Sequence, residues 1–276
     1  MTSPPEIRVI GLKRRGDRRA AMDAQMSQHG LPFRWLDAID ARAPEFETLR
    51  KADGSQASAY RLTPASLACA LSHRQAWQDF LAGDTKLLCV MEDDVRLTQP
   101  AVEVLRCVQD MGGRWNVLKL DGTPHGSRRV LASAPQPISC ASGATASWRI
   151  WSRRLGAGCY LLTRAAASRL VASTHRFAAP VDHLLFNPVY SPLFSQPGVR
   201  VILPFPVSHD NSNSDIEVER IAEADRPEWR RVRWAREFAN LKAVPRRLLA
   251  MAAGAQWKDA LVDPGSVRQP GSGNPH

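Results

Sequence analysis

The chain opens on an apolar run, Ile7-Arg8-Val9-Ile10-Gly11-Leu12, whose β-branched content predicts a strand. Asp17 to His29 follows as a charged helical stretch closed by Gly30, and Phe33-Arg34-Trp35-Leu36 alternates as a second strand. This is a βαβ opening. Residues 40–62 have no regular period and read as a long loop, a feature that in compact domains often covers a site. Thr63-Pro64 joins an N-cap hydroxyl to a proline at the first helical position, and Gly83 is a natural stop. Between them a helix of about five turns is expected. Leu87-Leu88-Cys89-Val90-Met91 is a continuous apolar run of strand length, the pattern of a central strand buried on both faces. It leads straight into Glu92-Asp93-Asp94.

Further along, Pro100 to Met111 predicts a helix and Trp115 to Leu120 a strand ending at Asp121-Gly122. Residues 123–154, rich in Ser, Pro, Gly and Arg, read as irregular loops, and Cys159 to Leu162 and Arg164 to Ser173 as strand and helix. Strands alternating with helices predict an α/β fold with a Rossmann-like, mostly parallel sheet flanked by helices. Beyond Ile221 the pattern becomes a basic, tryptophan-bearing helical region, with Trp234, Phe238 and Leu241 at i, i+4 and i+7. Residues 263–276 are Pro, Gly and Ser rich and are expected to be disordered. The expected division is a main domain at 1–220, a basic helical extension at 221–262 and a tail at 263–276.

At 276 residues, with 44% apolar and 23% charged residues, the chain can bury a sizeable core. Its net charge of +10 and pI near 9.9 favour anionic partners: nucleic acid, acidic lipid or a phosphate-bearing substrate. Arg226, Arg230, Arg231, Arg233, Arg236, Lys242, Arg246 and Arg247 crowd the last fifth, away from the acidic cluster. That region either lays apolar side chains on a bilayer while its arginines meet headgroups, or packs on the main domain with its arginines in water. No nucleic-acid motif accompanies the charge, so no specific nucleic-acid partner is expected. Five cysteines without a C-x-x-C pair fit neither a disulfide framework nor a zinc site; reduced thiols in a cytoplasmic protein are expected. No secretory signal or membrane-length apolar run is present.

Three adjacent carboxylates after a buried strand resist joint ionisation unless a cation compensates. In an extended chain Glu92 and Asp94 project to one side and Asp93 to the other. Glu92 and Asp94 are then placed to share a metal or a metal-bound ligand, with Asp93 facing a ribose or the supporting shell. Hard oxygen donors suit Mg²⁺ or Mn²⁺, ions that complete their shells with substrate phosphate oxygens. A solvated acidic turn is the plain alternative.

The ordered set Leu62-Thr63-Pro64, Cys69-Ala70-Leu71-Ser72-His73 and Val90-Met91-Glu92-Asp93-Asp94-Val95 resembles glycosyltransferase family 25, the bacterial lipopolysaccharide galactosyltransferases and their relatives. The likeness extends from Val9-Ile10-Gly11-Leu12 and Asp17-Arg18-Arg19 to Lys119-Leu120-Asp121, Gly158 to Arg164, Pro180-Val181-Asp182 and Ser212 to Ile216. Gly11 departs from it, standing where many relatives carry Asn or Ser, and His209 stands near a place where relatives often have Gln. The resemblance implies a glycosyltransferase A type fold, a UDP-sugar donor, a divalent metal, inversion at the anomeric carbon and a lipopolysaccharide-core or related glycan or glycolipid acceptor. The expected location is the cytoplasm, with attachment to the inner face of the bacterial inner membrane as the outcome if the basic C-terminal region meets the bilayer.

Under that resemblance, Leu12, Arg15, Arg18, Ser72, His73, Asp93 and Lys119 are expected to bind the donor, basic groups after the first strand being placed for phosphate. Glu92, Asp94 and His209 are the expected metal ligands. Asp182 is the leading general base, because inverting chemistry needs a carboxylate apart from the metal cluster, and Asp121 is the runner-up. Each has a plain alternative: a core histidine at His73, a turn at Asp121-Gly122, a helix cap at Asp182, a solvated loop histidine at His209. Competing functions are a metal-dependent phosphoester hydrolase and a non-catalytic binder of anionic polymers.

Overall fold

A computed structural model describes residues 5–53, 62–108, 115–122, 129–138, 146–195, 197–209 and 240–260. The opening unit is β1 (Glu6–Gly11), α1 (Gly16–Gln28) and β2 (Arg34–Asp37), with both strands parallel. The 40–62 stretch is not all loop: α2 (Phe46–Asp53) forms within it, with Phe46 buried and Arg50 bonded to Glu47 one turn back. α3 (Pro64–Ala82) starts as expected, the Thr63 hydroxyl accepting from the Ser66 amide at 3.1 Å.

β3 (Leu87–Glu92) is central. Leu88 and Val90 enter the core beneath α3, whereas Leu87, Cys89 and Met91 enter the core on the other face. A strand with both faces covered needs apolar residues at every position, which is why its run is unbroken. A turn at Asp93-Asp94 leads to β4 (Val95–Leu97), α4 (Gln99–Cys107) and β5 (Val117–Lys119).

The 123–154 stretch is a correction. It contains β6 (Arg129–Pro137) and β7 (Ala146–Ile150), an antiparallel pair whose register shifts between Ala132 and Pro135. Prolines are tolerated where the ladder is interrupted, and so the composition of a loop was compatible with a strand. β8 (Cys159–Thr163), α5 (Arg164–Ser173), α6 (Val181–Phe186), β9 (Val199–Ile202) and β10 (Val207–His209) follow. Near the end, α7 (Val244–Ala252) precedes β11 (Gln256–Asp259). Trp234, Phe238, the 263–276 tail and the basic residues from 226 to 236 lie outside the described residues.

The main sheet has nine strands in the order β11-β6-β7-β9-β5-β8-β3-β1-β2. Six of them (β1, β2, β3, β5, β6, β9) share one direction, and β7, β8 and β11 oppose it. α3, α5 and α6 contribute to the core on one face, α1 and α4 to that on the other. The α/β fold with a large, mostly parallel sheet between helices is therefore present. β8 differs from the simplest alternation by running antiparallel between β3 and β5. β10 pairs with β4 in a separate two-stranded ladder over the ends of the main strands. Cys69, Cys89 and Cys159 are free thiols, but Cys107 is disulfide-bonded, contrary to the expectation of five reduced cysteines.

Candidate active site

Loops leaving the same end of several parallel strands converge there, and in open α/β sheets that is where ligands bind. Here a cleft of about 220 Å³ opens beyond the ends of β1 and β3. Its walls include Gly11 to Arg18 after β1, the stretch from Ala38 to Arg42 after β2, one face of α3, and Glu92-Asp93-Asp94. On α3 the lining is Ala65, Ala68, Cys69 and Ser72, small side chains that leave the space open, together with the His73 ring.

The first strand must end in a residue without a side chain. A Cβ on Gly11 would lie 2.8 Å from Trp35 Cζ3 and 3.0 Å from Asp93 Oδ2. Gly11 thus lets Asp93 tuck against β1. Arg18, from the first turn of α1, reaches Asp93 Oδ1 at 3.1 Å and Asp94 Oδ2 at 3.3 Å. Burial raises the Asp93 carboxyl above its ordinary range, Arg18 opposes the shift, and Asp94 and Glu92 add to it. Leu12 and Arg15 also line the cleft, and Arg15 is bonded to Asp17 at 2.8 Å.

Two chains of hydrogen bonds hold the cluster. In the first, the Trp77 indole donates to the Tyr160 hydroxyl at 3.0 Å, and that hydroxyl lies 2.7 Å from His73 Nδ1. An indole can only donate, so the Tyr160 proton is assigned to His73 Nδ1, leaving Nε2–H to donate to Glu92 Oε1 at 3.2 Å. The Tyr160 phenol is pushed well above its ordinary range by burial, Trp77 opposing and Glu92 adding to the effect. Cys69 Sγ, one turn before His73, also donates to Glu92 Oε1, at 3.9 Å. Ser72 lines the cleft but has its hydroxyl engaged: it accepts from the Ile39 amide and donates to the Ala68 carbonyl, tying the loop after β2 to α3.

The second chain starts at Lys119, whose Nζ donates to Asp121 Oδ1 at 2.7 Å and the Gly156 carbonyl at 2.6 Å and sits over the Phe186 ring. Asp121 Oδ2 in turn faces His209 Nε2 at 2.9 Å, and His209 Nδ1 lies 3.5 Å from Asp94 Oδ1. Pairing of β10 with β4 sets this geometry, for His209 stands opposite Val95, the residue after the acidic turn. Gly158 allows it: a Cβ there would fall 2.0 Å from His209 Cε1. Burial would raise the Asp121 carboxyl, but Lys119 and His209 outweigh it and hold the group well below the usual carboxylate range. Burial acts on His209 in the opposite sense to its two acids, and Asp121 and Asp94 win, pushing it up to about 10.

Glu92, Asp94 and His209 can each offer one ligand atom, all within 4.8 Å of one another. Asp94 Oδ1 is buried without a hydrogen-bond donor. With Asp121 held at Nε2, Nδ1 is the ring atom facing the two carboxylates, the arrangement by which a carboxylate orients a metal-binding histidine. Glu92 and Asp94 therefore fit a hard divalent cation, and His209, held as an imidazolium by its two acids, would join them on giving up its Nδ1 proton. Cys69, His73 and Glu92 are a second convergent group, but His73 Nδ1 and Nε2 are both engaged.

Four expected residues stand outside the lining of the cleft: Lys119, Asp121, Asp182 and His209. Lys119 and Asp121 are both completely buried and paired with each other. Asp182, in the first turn of α6, is half-buried; its oxygens accept from the Gly156 amide at 3.2 Å and the His183 amide at 2.8 Å. It stands close enough to Cys69 that, after burial and Glu92, it raises that thiol. Tyr160 and Trp77 were not singled out from the sequence, because an aromatic in an apolar strand and one on a helix both read as core.

An α/β protein with a carboxylate and histidine cluster at its strand ends is thus the class defined by fold and site. Residues 5–185 match the family model described as glycosyltransferase family 25 (LPS biosynthesis protein), and the chain belongs to that family. It is similar to human procollagen galactosyltransferase 2, 26% identical over 65% of this chain and 29% of the relative. It is also similar to the human inactive glycosyltransferase 25 family member 3, 28% identical over 65% of this chain and 31% of the relative. A putative glycosyltransferase of Haemophilus influenzae is 26% identical over 48% of this chain and 45% of that protein. The match therefore spans less than half the length of these relatives.

Proposed function

We propose that this protein is an inverting, metal-dependent hexosyltransferase. It moves a sugar, galactose first among the candidates, from a UDP-sugar to a hydroxyl of a lipopolysaccharide core or related surface glycan. The observation that carries the proposal is the convergence of Glu92, Asp94 and His209 at the end of β3, beside a cleft walled by Arg14, Arg15 and Arg18. Family membership supports transfer over the hydrolase and anionic-polymer readings.

Glu92, Asp94 and His209 would hold the ion. Bound Mn²⁺ or Mg²⁺ would supply Lewis-acid stabilisation of the leaving diphosphate. Arg18 steadies Asp93 and Asp94, and Arg15 lies along the same wall to meet phosphate charge. His73 orients Glu92, and Ser72 fixes the loop that closes the nucleotide side. The acceptor oxygen attacks the anomeric carbon opposite the diphosphate. The new carbon–oxygen bond forms as the sugar–phosphate bond breaks, with its electron pair leaving on UDP. The hydroxyl proton passes to the Asp182 carboxylate, the half-buried acid on the Cys69 side of the cluster. One displacement gives inversion without a covalent intermediate.

Thermal melting with a panel of UDP-sugars, with and without Mn²⁺, tests the proposal, since a ligand that binds the native state raises its apparent stability. UDP-galactose is expected to raise Tm only when Mn²⁺ is present. Absence of a metal-dependent shift with every UDP-sugar would overturn it.

A further inference from the structure

Towards the β11 end of the sheet, α7 lies on the face where Leu131 of β6 and Trp151 pack with Ala250 and Ala255. Side chains alternate along a strand, so Arg149, two residues before Trp151, stands on that same face. Its partner across the β7–β9 ladder is Arg200. Like charges set directly opposite one another in a sheet are destabilising. Arg200 is buried and held by Ser147, its Nε donating to the hydroxyl at 2.9 Å and its Nη2 to the carbonyl at 2.7 Å. Arg149 is half-buried and lies over the Trp151 ring, 4.2 Å from the centroid. A Cβ on Gly198 would fall 2.7 Å from Arg149 Nε, so the bare Cα of that glycine makes room for the guanidinium.

The helix adds charge to this pair. Arg246 and Arg247 stand four and three residues before Ala250, so both flank the buried line of α7. Burial and then Arg246 disfavour the charge on Arg149, and burial and then Arg149 push Arg200 down to about 10. Arg247 is lowered by burial and then by Arg153, and its Nε is buried without a hydrogen-bond partner. Segments 129–138, 146–154, 197–202 and 240–260, which build this region, hold nine cations and one acid. That acid, Asp259, lies 4.0 Å from Arg129. Among the described residues no carboxylate pairs with Arg149, Arg153, Arg246 or Arg247. Cations drawn out of water ordinarily keep a counter-ion. Here two strands and a helix bring them together without one.

We propose that Arg149 and Arg246, backed by Arg200, form a binding site for a phosphate group, with Arg153 and Arg247 extending it along α7. A guanidinium presents a planar fork of donors, which suits the paired oxygens of phosphate, and two forks answer its double charge. Arg149 donates no hydrogen bond among the described residues, whereas Arg200 has donors committed to Ser147 and contributes charge beneath its neighbour. A dianion between Arg149 and Arg246 replaces their mutual repulsion with attraction to a shared centre. The site is four strands away from β3 in the sheet and needs no metal.

Thermal melting of the full chain in EDTA, at constant ionic strength set with chloride, tests this with inorganic phosphate, glucose 6-phosphate and neutral glucose. Inorganic phosphate is expected to raise Tm saturably, and glucose to leave it unchanged. A shift with inorganic phosphate alone supports the site and assigns it the free ion; a shift with glucose 6-phosphate as well supports it and assigns a phosphate ester. Arg149→Gln and Arg246→Gln should each bind phosphate roughly tenfold more weakly, the worth of a charge-assisted hydrogen bond. Arg246 is exposed, so its variant should melt with wild type in phosphate-free buffer. Arg176→Gln removes the same charge just after α5, which covers the opposite face of the sheet, and should bind phosphate as wild type does. Any metal-dependent UDP-sugar shift should survive in all three variants, which separates this proposal from the transferase one. No saturable shift with phosphate, wild-type affinity in both Arg149→Gln and Arg246→Gln, or equal weakening by Arg176→Gln would each overturn it.

Discussion

The β2-β1-β3 side of the sheet and its β11–α7 edge depart from ordinary packing in opposite ways. Beside the acidic turn the protein takes charge out of water: Lys119 and Asp121 are completely buried, and His209 is wedged between two acids. At the α7 edge it leaves hydrocarbon in water, with Leu248 and Leu249 standing on the surface. Both arrangements cost stability in isolation. Buried charge is tolerated only when paired, and here the pairing is complete enough to hold two ligand-bearing side chains from opposite sides. Exposed hydrocarbon has no such remedy among the described residues. The contrast teaches that charge placement is settled within the first region, whereas the second leaves hydrocarbon uncovered among the described residues.

The largest effect that would break this contrast lies in the acidic cluster. Asp94→Asn removes one charged donor and is expected to lower metal-dependent sugar transfer by more than roughly hundredfold, beyond the loss typical of a supporting partner at a metal site. Release of UDP from the donor in the presence of Mn²⁺ measures it; unchanged turnover would take Asp94 out of the site.

Asp121→Asn should next cost about 3–5 kcal/mol in urea unfolding, because Lys119 is left as a buried, unpaired cation. Adding Lys119→Met should recover part of the loss. If the single variant is as stable as wild type, the buried pair is not holding the second chain together.

A smaller effect is expected from Tyr160→Phe, which keeps the ring and deletes the hydroxyl between Trp77 and His73. Its stability should fall by about 1–3 kcal/mol, and Mn²⁺ affinity by calorimetry should drop roughly tenfold as Glu92 loses its orienting partner. A purely structural tyrosine would lower stability and leave metal affinity alone. Leu249→Ser marks the other end of the scale. Lying on the surface, it should alter unfolding free energy by less than about 0.5 kcal/mol, and a larger loss would mean that the leucine is packed in solution.

Much of the site was legible because its signals are local. Thr63-Pro64 starts a helix by its own capping chemistry, and Glu92-Asp93-Asp94 needs no distant partner to register as costly. His209 read in the sequence as a polar-loop residue able to complete a metal shell or stay solvated, and its approach to the cluster rests on the β4–β10 pairing and the bare Cα of Gly158. The burial of Lys119 and Asp121 was hidden for the same reason. At the end of a strand they resemble exposed site residues, and nothing nearby in sequence announces that Gly156, Phe186 and His209 enclose them. The β6–β7 pair escaped because its prolines suppress the period that marks a strand, whereas the neighbouring ladder supplies the order.

The sequence by itself determined the α/β alternation, the doubly buried β3, the position of the acids at its end and the basic character of the C-terminal region. Those features follow from periodicity, capping and composition, which act over a few residues. The tertiary structure decided that β8 runs antiparallel beside β3, that Tyr160 on it meets His73, and which carboxylates face the cleft or are sealed behind it. It also decided that α7 turns its leucines outward. Those outcomes depend on contacts between residues far apart in the chain, where burial and charge pairing are settled only once the sheet has assembled.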